Sequence, residues 1–364
     1  DAQDPRYWYS SYCYRNASGD LSGIKRSDVA GAITSWSNVT DGMDGAEYAS
    51  QGDEPFYVPF ILDPVTSSTL YLGTTRLWRS HNRGTSWHAV AKLDGTVFTT
   101  ATAVLPQKPT QHQGISAICV DPNDPTIIYV GARDGRIFQV VLKAFDADGK
   151  VTDASWSAAT SPANPPALDV VAPGDPGQFL SSYCTDLAVP KLTGPAPLPN
   201  RPVYVAYGSD YLSWNLPQHI CRGRVWKVDF TNVATPVWTP LGTNGLEGKF
   251  PEPPHLIHQQ NFANALAIDP LDPLHIFVGC HIGVYETKDG GTSWQPFLDG
   301  LPNVPVVDLQ FHPTKRLLRA ATMGRSVWER PVADVAVPDQ TDADVFIRDN
   351  IVDLGRYATN ATAD

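Results

Sequence analysis

Carboxylates, imidazoles and large aromatic side chains gather in a few stretches of this chain, and their types suit two kinds of chemistry. Asp41, Asp44, Glu47, Asp53 and Glu54 share one stretch. Asp210 stands beside Tyr211, Trp214 and His219, and Glu247, Glu252, His255, His258, Gln259 and Gln260 crowd another, with His112 and Gln113 elsewhere. Hydrolysis of a glycosidic bond takes two carboxyl groups flanking it, one with a raised pKa, and flat aromatic surfaces for the sugar faces. Asp41, Asp44, Glu47 or Asp53 could oppose Asp210 or Glu252 in that role, with Tyr211 and Trp214 as platforms. The catalytic candidates are therefore Asp41, Asp44, Asp210 and Glu252, and the ligand-binding candidates Tyr211, Trp214, His219 and His258. These residues also have a plainer explanation. The chain carries a formal net charge of −11, its acidic loop residues keep the surface solvated, and no fixed spacing ties any two of them into a pair.

Metal chemistry is the second possibility. His255 and His258 have i, i+3 spacing and His281 follows in the same unit, a set that could converge on one ion. Pro251, Pro253 and Pro254 argue against the helix that would put the first two on one face, so these histidines are expected to bond backbone groups. No cofactor or metal is expected; loop carboxylates such as Asp41 and Asp44 could hold Ca2+.

Five cysteines, none in a Cys-x-x-Cys pair, argue against a zinc site. Cys119 falls within an apolar strand and is expected to be a buried thiol. Cys184 and Cys221 are expected to form a disulfide tying down the loop between them, their places in the repeat bringing them within range.

Among 364 residues, 42% are hydrophobic and 18% charged, while Gly 28 and Pro 32 point to many turns. Bulk disorder is excluded. With 27 basic against 38 acidic residues, nucleic acid is not an expected partner. No run of residues is long and apolar enough for a membrane helix. The opening Asp1-Ala2-Gln3-Asp4-Pro5, only 2 Met and the triplets Asn16-Ala17-Ser18, Asn38-Val39-Thr40 and Asn360-Ala361-Thr362 suggest a secreted or cell-surface chain, read as a processed or excised segment.

The elements that must position the loops repeat. An apolar strand ending in Asp-Pro or a relative recurs at Phe60 to Pro64, Ile118 to Pro122, Leu187 to Pro190, Leu266 to Pro270 and Leu309 to Pro313. A second strand follows each, as in Ile128-Tyr129-Val130-Gly131, with a Gly read as marking a tight bend. A third carries an aromatic, at Trp78, Phe138, Trp226, Tyr285 and Trp328, and a fourth is marked by Trp87, Trp156, Trp238 and Trp294. The missing fifth copy of the last is supplied by Trp36, so an amino-terminal strand is expected to close the ring on the unit holding Trp328. Four antiparallel strands repeated about an axis predict an all-β propeller with five detected blades.

Two turns in this repeat share one frame: Ser80-His81-Asn82-Arg83-Gly84-Thr85-Ser86-Trp87 and Thr287-Lys288-Asp289-Gly290-Gly291-Thr292-Ser293-Trp294. The frame resembles the Asp-box, or BNR repeat, of sialidases, xyloglucan-active propeller glycosidases, sortilin-type receptors and photosystem assembly factors. The resemblance covers roughly residues 35 to 330 and implies structural roles for Ser80, Asn82, Gly84, Trp87, Thr287, Asp289, Gly291 and Trp294. It does not select an activity, since such propellers serve hydrolases, receptors and scaffolds alike. A sialidase would want arginines on the ligand face, whereas Arg76, Arg136 and Arg224 follow the strand frame. The expected organisation is an extension over residues 1–34, the propeller over 35–331, and a linker over 332–364 with one strand at Asp344 to Asn350. The expected function is a secreted module that binds a glycan or a protein, or docks other domains of its own polypeptide, through long loops on one face. The alternative is a polysaccharide hydrolase using a carboxylate pair.

Overall fold

The computed structural model describes residues 3–15, 21–43, 58–98, 114–132, 135–159, 170–171, 179–180, 183–192, 202–208, 225–232, 236–241, 245–246, 262–297, 300–312, 314–332, 347–348 and 351–352. Among them there is no helix, and six antiparallel sheets follow one another. The first holds β1 (Trp8–Arg15), β2 (Leu21–Ser27) and β3 (Ser37–Asn38). The second holds β4 (Phe60–Leu62), β5 (Leu70–Gly73), β6 (Leu77–Ser80) and β7 (His88–Ala89), and the third β8 (Ile115–Val120), β9 (Ile127–Ala132), β10 (Ile137–Phe145) and β11 (Val151–Ala159). After the small pair β12 (Val170–Val171) and β13 (Phe179–Leu180) comes the fourth sheet: β14 (Tyr183–Ala188), β15 (Pro202–Gly208), β16 (Val225–Asp229) and β17 (Val237–Pro240). The fifth holds β18 (Ala263–Asp269), β19 (Asp272–Cys280), β20 (Gly283–Thr287) and β21 (Gln295–Pro296), and the sixth β22 (Val306–His312), β23 (Leu317–Thr322) and β24 (Ser326–Pro331). A last pair, β25 (Ile347–Arg348) and β26 (Ile351–Val352), falls partly within the strand expected at Asp344 to Asn350.

The architecture is a β-propeller, and the blade count is six rather than five. Five apolar clusters fill the five spaces between successive sheets. Residues 1–34, expected as an extension, contain β1 and β2. Trp36 does mark an outer strand, but that strand pairs within the first sheet, Lys25 opposite Asn38 and Arg26 opposite Ser37, and not with β24. The reason is local. β2 supplies a pairing edge ten residues upstream, and its Ile24 is buried in the apolar cluster shared with the second blade.

Middle strands β9, β15 and β19 are buried on both faces, which is why they read as near-continuous apolar runs. The Gly closing a second strand is not a bend. Gly131 and Gly279 have no positive φ; a Cβ there would lie 2.2 Å from Cys184 Sγ and 2.6 Å from Val306 Cγ1. Each is glycine because the next blade's inner strand passes against it. Every inner strand from β8 onward carries a β-bulge at one position, between Ile115 and Ala117, Cys184 and Asp186, Ala263 and Ala265, and Val306 and Asp308. Within the first three bulges a polar side chain reaches the next blade. Ser116 Oγ donates to Cys184 O at 2.6 Å, Thr185 Oγ1 to Ala263 O at 2.8 Å, and Asn264 Nδ2 to Val306 O at 2.9 Å. The series ends at Val307, which is 47% exposed.

The two matching turns fold alike. Asn82 Oδ1 and Asp289 Oδ1 each accept the backbone N–H of the serine four residues on, at 2.9 Å, and the N–H of Gly84 or Gly291 donates to Ser80 Oγ or Thr287 Oγ1, also at 2.9 Å. The Ser293 hydroxyl, donating to Asp289 Oδ2 at 2.6 Å, together with the Ser293 N–H and the Thr287 hydroxyl, which donates to Oδ1 at 2.7 Å, holds the Asp289 carboxyl down at about 2. Each turn then delivers its tryptophan between blades: Trp87 Nε1 donates to Val39 O at 2.8 Å and Trp294 Nε1 to Leu241 O at 2.6 Å. Val39 follows β3 as Leu241 follows β17, which identifies β3 as the outer strand of a true blade.

Candidate functional site

The inner strands β4, β8, β14, β18 and β22 surround a cavity of about 480 Å³ along the propeller axis. Aligning their frames places Pro59, Ala117, Asp186, Ala265 and Asp308 at one equivalent position on this wall, so two of five copies replace a small or apolar residue by a carboxylate. Asp186 Oδ1 accepts the N–H of Leu187 at 2.8 Å and Oδ2 that of Leu266 on the next blade at 2.7 Å. Burial pushes its carboxyl up to about 7 against the pull of those two N–H groups, with Asp308 adding a like charge. Burial also raises the Asp308 carboxyl, opposed by Gln310 and the Leu309 N–H. A carboxyl titrating near neutrality is of the kind used in acid–base catalysis. Both oxygens of Asp186 are nonetheless engaged by backbone N–H groups, and its work here is to clamp two inner strands together.

These shifts carry a sign. A folded-state pKa above the unfolded value means the native protein binds more protons between the two, so stability falls as pH rises through that interval. The contribution of Asp186 to stability is therefore expected to decline between about pH 4 and pH 7 and then level. Asp186→Asn should flatten that decline in thermal melts across the range. An unchanged slope would show that Asp186 ionises in the folded protein as freely as in the unfolded chain.

Of the catalytic candidates, only Asp41 is described. Its side chain is exposed, and its carbonyl accepts the Trp87 N–H at 2.8 Å at the junction of the first two blades, away from the axial wall. Asp44, Glu47, Asp53, Glu54, His112, Gln113, Asp210, Tyr211, Trp214, His219, Glu247, Glu252, His255, His258, Gln259 and Gln260 lie outside the described residues. His281 packs edge-on to Phe262, ring centroids 5.2 Å apart. Among the described residues no group of three His, Cys, Asp or Glu side chains could hold a metal ion.

The expected bridge from Cys184 is corrected. Cys184 is a buried free thiol, its Sγ turned onto the Gly131 backbone and toward Asp186 O at 3.9 Å, while Cys221 lies outside the described residues. The side chain fills the space that glycine leaves between blades. Cys119 is a half-buried free thiol pushed up to about 12 by burial. Asp186 and Asp308 escaped the motif search because they sit inside strands; only superposing the five frames exposes them as departures.

No protein-family model matches the chain. A xyloglucanase from a Paenibacillus species is 27% identical over 347 residues, covering 76% of this chain and 30% of that enzyme. Among solved structures, the GH74 xyloglucanase from Xanthomonas campestris aligns with a TM-score of 0.51 at 17% identity, and the GH74 enzyme of Niastella koreensis with 0.50 at 15%, each match covering 93% of this chain and 45% of the other. These two structures share the propeller fold with this chain. The chain spans under half the length of each of these relatives.

Proposed function

We propose that this chain is a β-glucan-recognising propeller of a secreted glycoside hydrolase, with xyloglucan as its substrate class. The observation that supports this most is the likeness to a xyloglucanase over 76% of the chain at 27% identity, carried on the same fold. It favours the hydrolase over a free-standing docking module. The propeller supplies a rigid ring of inner strands, and the long connections emerging from it carry Asp44, Asp210 and Glu252 as candidate acid and base or nucleophile, with Tyr211, Trp214, His219 and His258 to hold the sugar. In that chemistry one carboxyl protonates the departing glycosidic oxygen while its partner attacks the sugar carbon or activates water, the choice depending on whether the two stand about 5 or about 6.5–9.5 Å apart. Incubating the protein with xyloglucan and with dextran tests the reading. Reducing ends should appear from the first polymer alone, and a xyloglucan left intact would favour a docking role.

A further inference from the structure

The first blade leaves part of one sheet face open to solvent among its described residues, although Ser27, opposite Trp8 on that face, is buried. Tyr9 and Ile24 on its inner face pack into the second blade, whereas Trp8, Ser10, Lys25 and Asn38 on the other face are all exposed. The strand register sets Ser10 opposite Lys25 and Lys25 opposite Asn38, one polar row across β1, β2 and β3. Trp8 stands two residues from Ser10 on the same face, about 7 Å along the strand.

This tryptophan is exposed yet fixed. It keeps 52% of its surface open to solvent, its Nε1 donates to Pro5 O at 2.9 Å, and one face of the indole lies on Gly31. A Cβ at Gly31, whose φ is +79°, would come within 2.9 Å of Trp8 Cε3 and 3.2 Å of Cδ2, so a side chain there would push the ring away. With one face on glycine and its edge tied to a carbonyl, the other face is held flat toward water.

Resting on the polysaccharide reading above, we propose that Trp8, Ser10, Lys25 and Asn38 form a surface glycan site on the first blade, remote from the axial cavity, that binds the pyranose units of a β-linked polysaccharide. The apolar face of a sugar ring stacks on the indole, and its hydroxyls meet hydrogen-bonding groups one pleat away. Lys25 and Asn38 are exposed, and a blade packed on them would have to supply their hydrogen-bond partners, whereas sugar hydroxyls supply such partners directly. A protein partner suits the face less well, since stable interfaces bury about 800 Å² a side around an apolar core and the row beside Trp8 is polar. The fixed indole also lowers the ordering cost of binding.

Titration of the protein with xyloglucan, paired with size-exclusion chromatography, tests the site. Trp8→Ala should weaken polymer binding at least about tenfold, and Gly31→Val, which keeps the indole but displaces it, should weaken it too. Both variants should cleave short oligosaccharides at the wild-type rate if the site only holds the polymer. Wild-type affinity in Trp8→Ala would overturn the site while leaving the function reading intact; a wild-type protein that binds no β-glucan would overturn both. A Trp8→Ala protein altered in self-association but not in glycan affinity would assign the face to protein contact and refute the proposal.

Discussion

Replacing a catalytic carboxylate should lower the rate of xyloglucan hydrolysis by about 10²–10⁴-fold, the contribution typical of a placed acid or base. Asp44→Asn, Asp210→Asn and Glu252→Gln are the variants in which that loss is expected. They remove the titrating group at nearly constant volume, and polymer affinity should persist where kcat collapses. Asp41→Asn is the internal control. Asp41 serves the fold through its carbonyl on the Trp87 N–H, and its exposed side chain lies beside the blade junction, so the rate should stay within about twofold. Initial rates of reducing-end release for the four variants decide the matter. A wild-type rate in all of Asp44→Asn, Asp210→Asn and Glu252→Gln would remove these residues from the reaction.

The second large effect concerns the fifth and sixth blades. Asp269 ends β18 and is 1% exposed, and Arg316, 4% exposed in the turn before β23, grips both its oxygens with two guanidinium nitrogens. The guanidinium also lies 4.9 Å from the Phe311 ring centroid. His275 Nδ1 approaches Asp269 Oδ2 at 3.6 Å, while its Nε2 is 2.8 Å from Glu286 Oε2, so the network runs through the fifth blade to Gln295, whose Nε2 donates to Glu286 Oε1 at 2.7 Å. Burial pushes the Asp269 carboxyl up, but Arg316 and the Leu271 N–H outweigh it and hold it below its ordinary value. Arg316→Ala leaves that buried carboxylate without its main partner and should cost about 3–5 kcal/mol. Arg316→Lys should recover only part, since an ammonium cannot make the two-pronged contact. Adding Asp269→Ala to Arg316→Ala should cost less than the sum of the two single changes. Denaturant midpoints measure all of these, and an unchanged midpoint in Arg316→Ala would show that the pair contributes nothing net.

Five of the six blades were legible because their second strands read as apolar runs and their strands end in turns with fixed chemistry. Asp-Pro after an inner strand and tryptophan before or within an outer one are such marks, and they fall where the structure has strands. The first blade was illegible for the opposite reason. β1 and β2 expose Trp8, Ser10 and Lys25 to water, which breaks the apolar run, and no inner strand with its Asp-Pro flag precedes them among the described residues. Trp36 was correctly read as an outer-strand tryptophan, but its partner β2 had no mark to compete with β24. The glycines ending β9 and β19 were misread because a close approach by the next blade leaves the same residue in the sequence as a bend.

The candidate site was legible as a set of residue types and not as a geometry. Acidic and aromatic residues of the kind at Asp44, Asp210, Tyr211 and Trp214 suit carbohydrate chemistry, yet loops carry no period from which spacing could be read. Asp186 was hidden by its setting: an aspartate beside a leucine in an apolar strand resembles a turn residue until its equivalents, Ala117 and Ala265, are set beside it. The place of Cys184 in the repeat suggested a bridge to Cys221, whereas the bulge at Cys184 and Asp186 accompanies a thiol facing Gly131.

The central claim is that a β-glucan chain is the ligand. Isothermal titration of the wild-type protein with xyloglucan oligosaccharides, beside dextran fragments of equal length, tests it most directly. Saturable binding of the xyloglucan series alone is the predicted result, and the absence of binding to any β-glucan at millimolar sugar would contradict it.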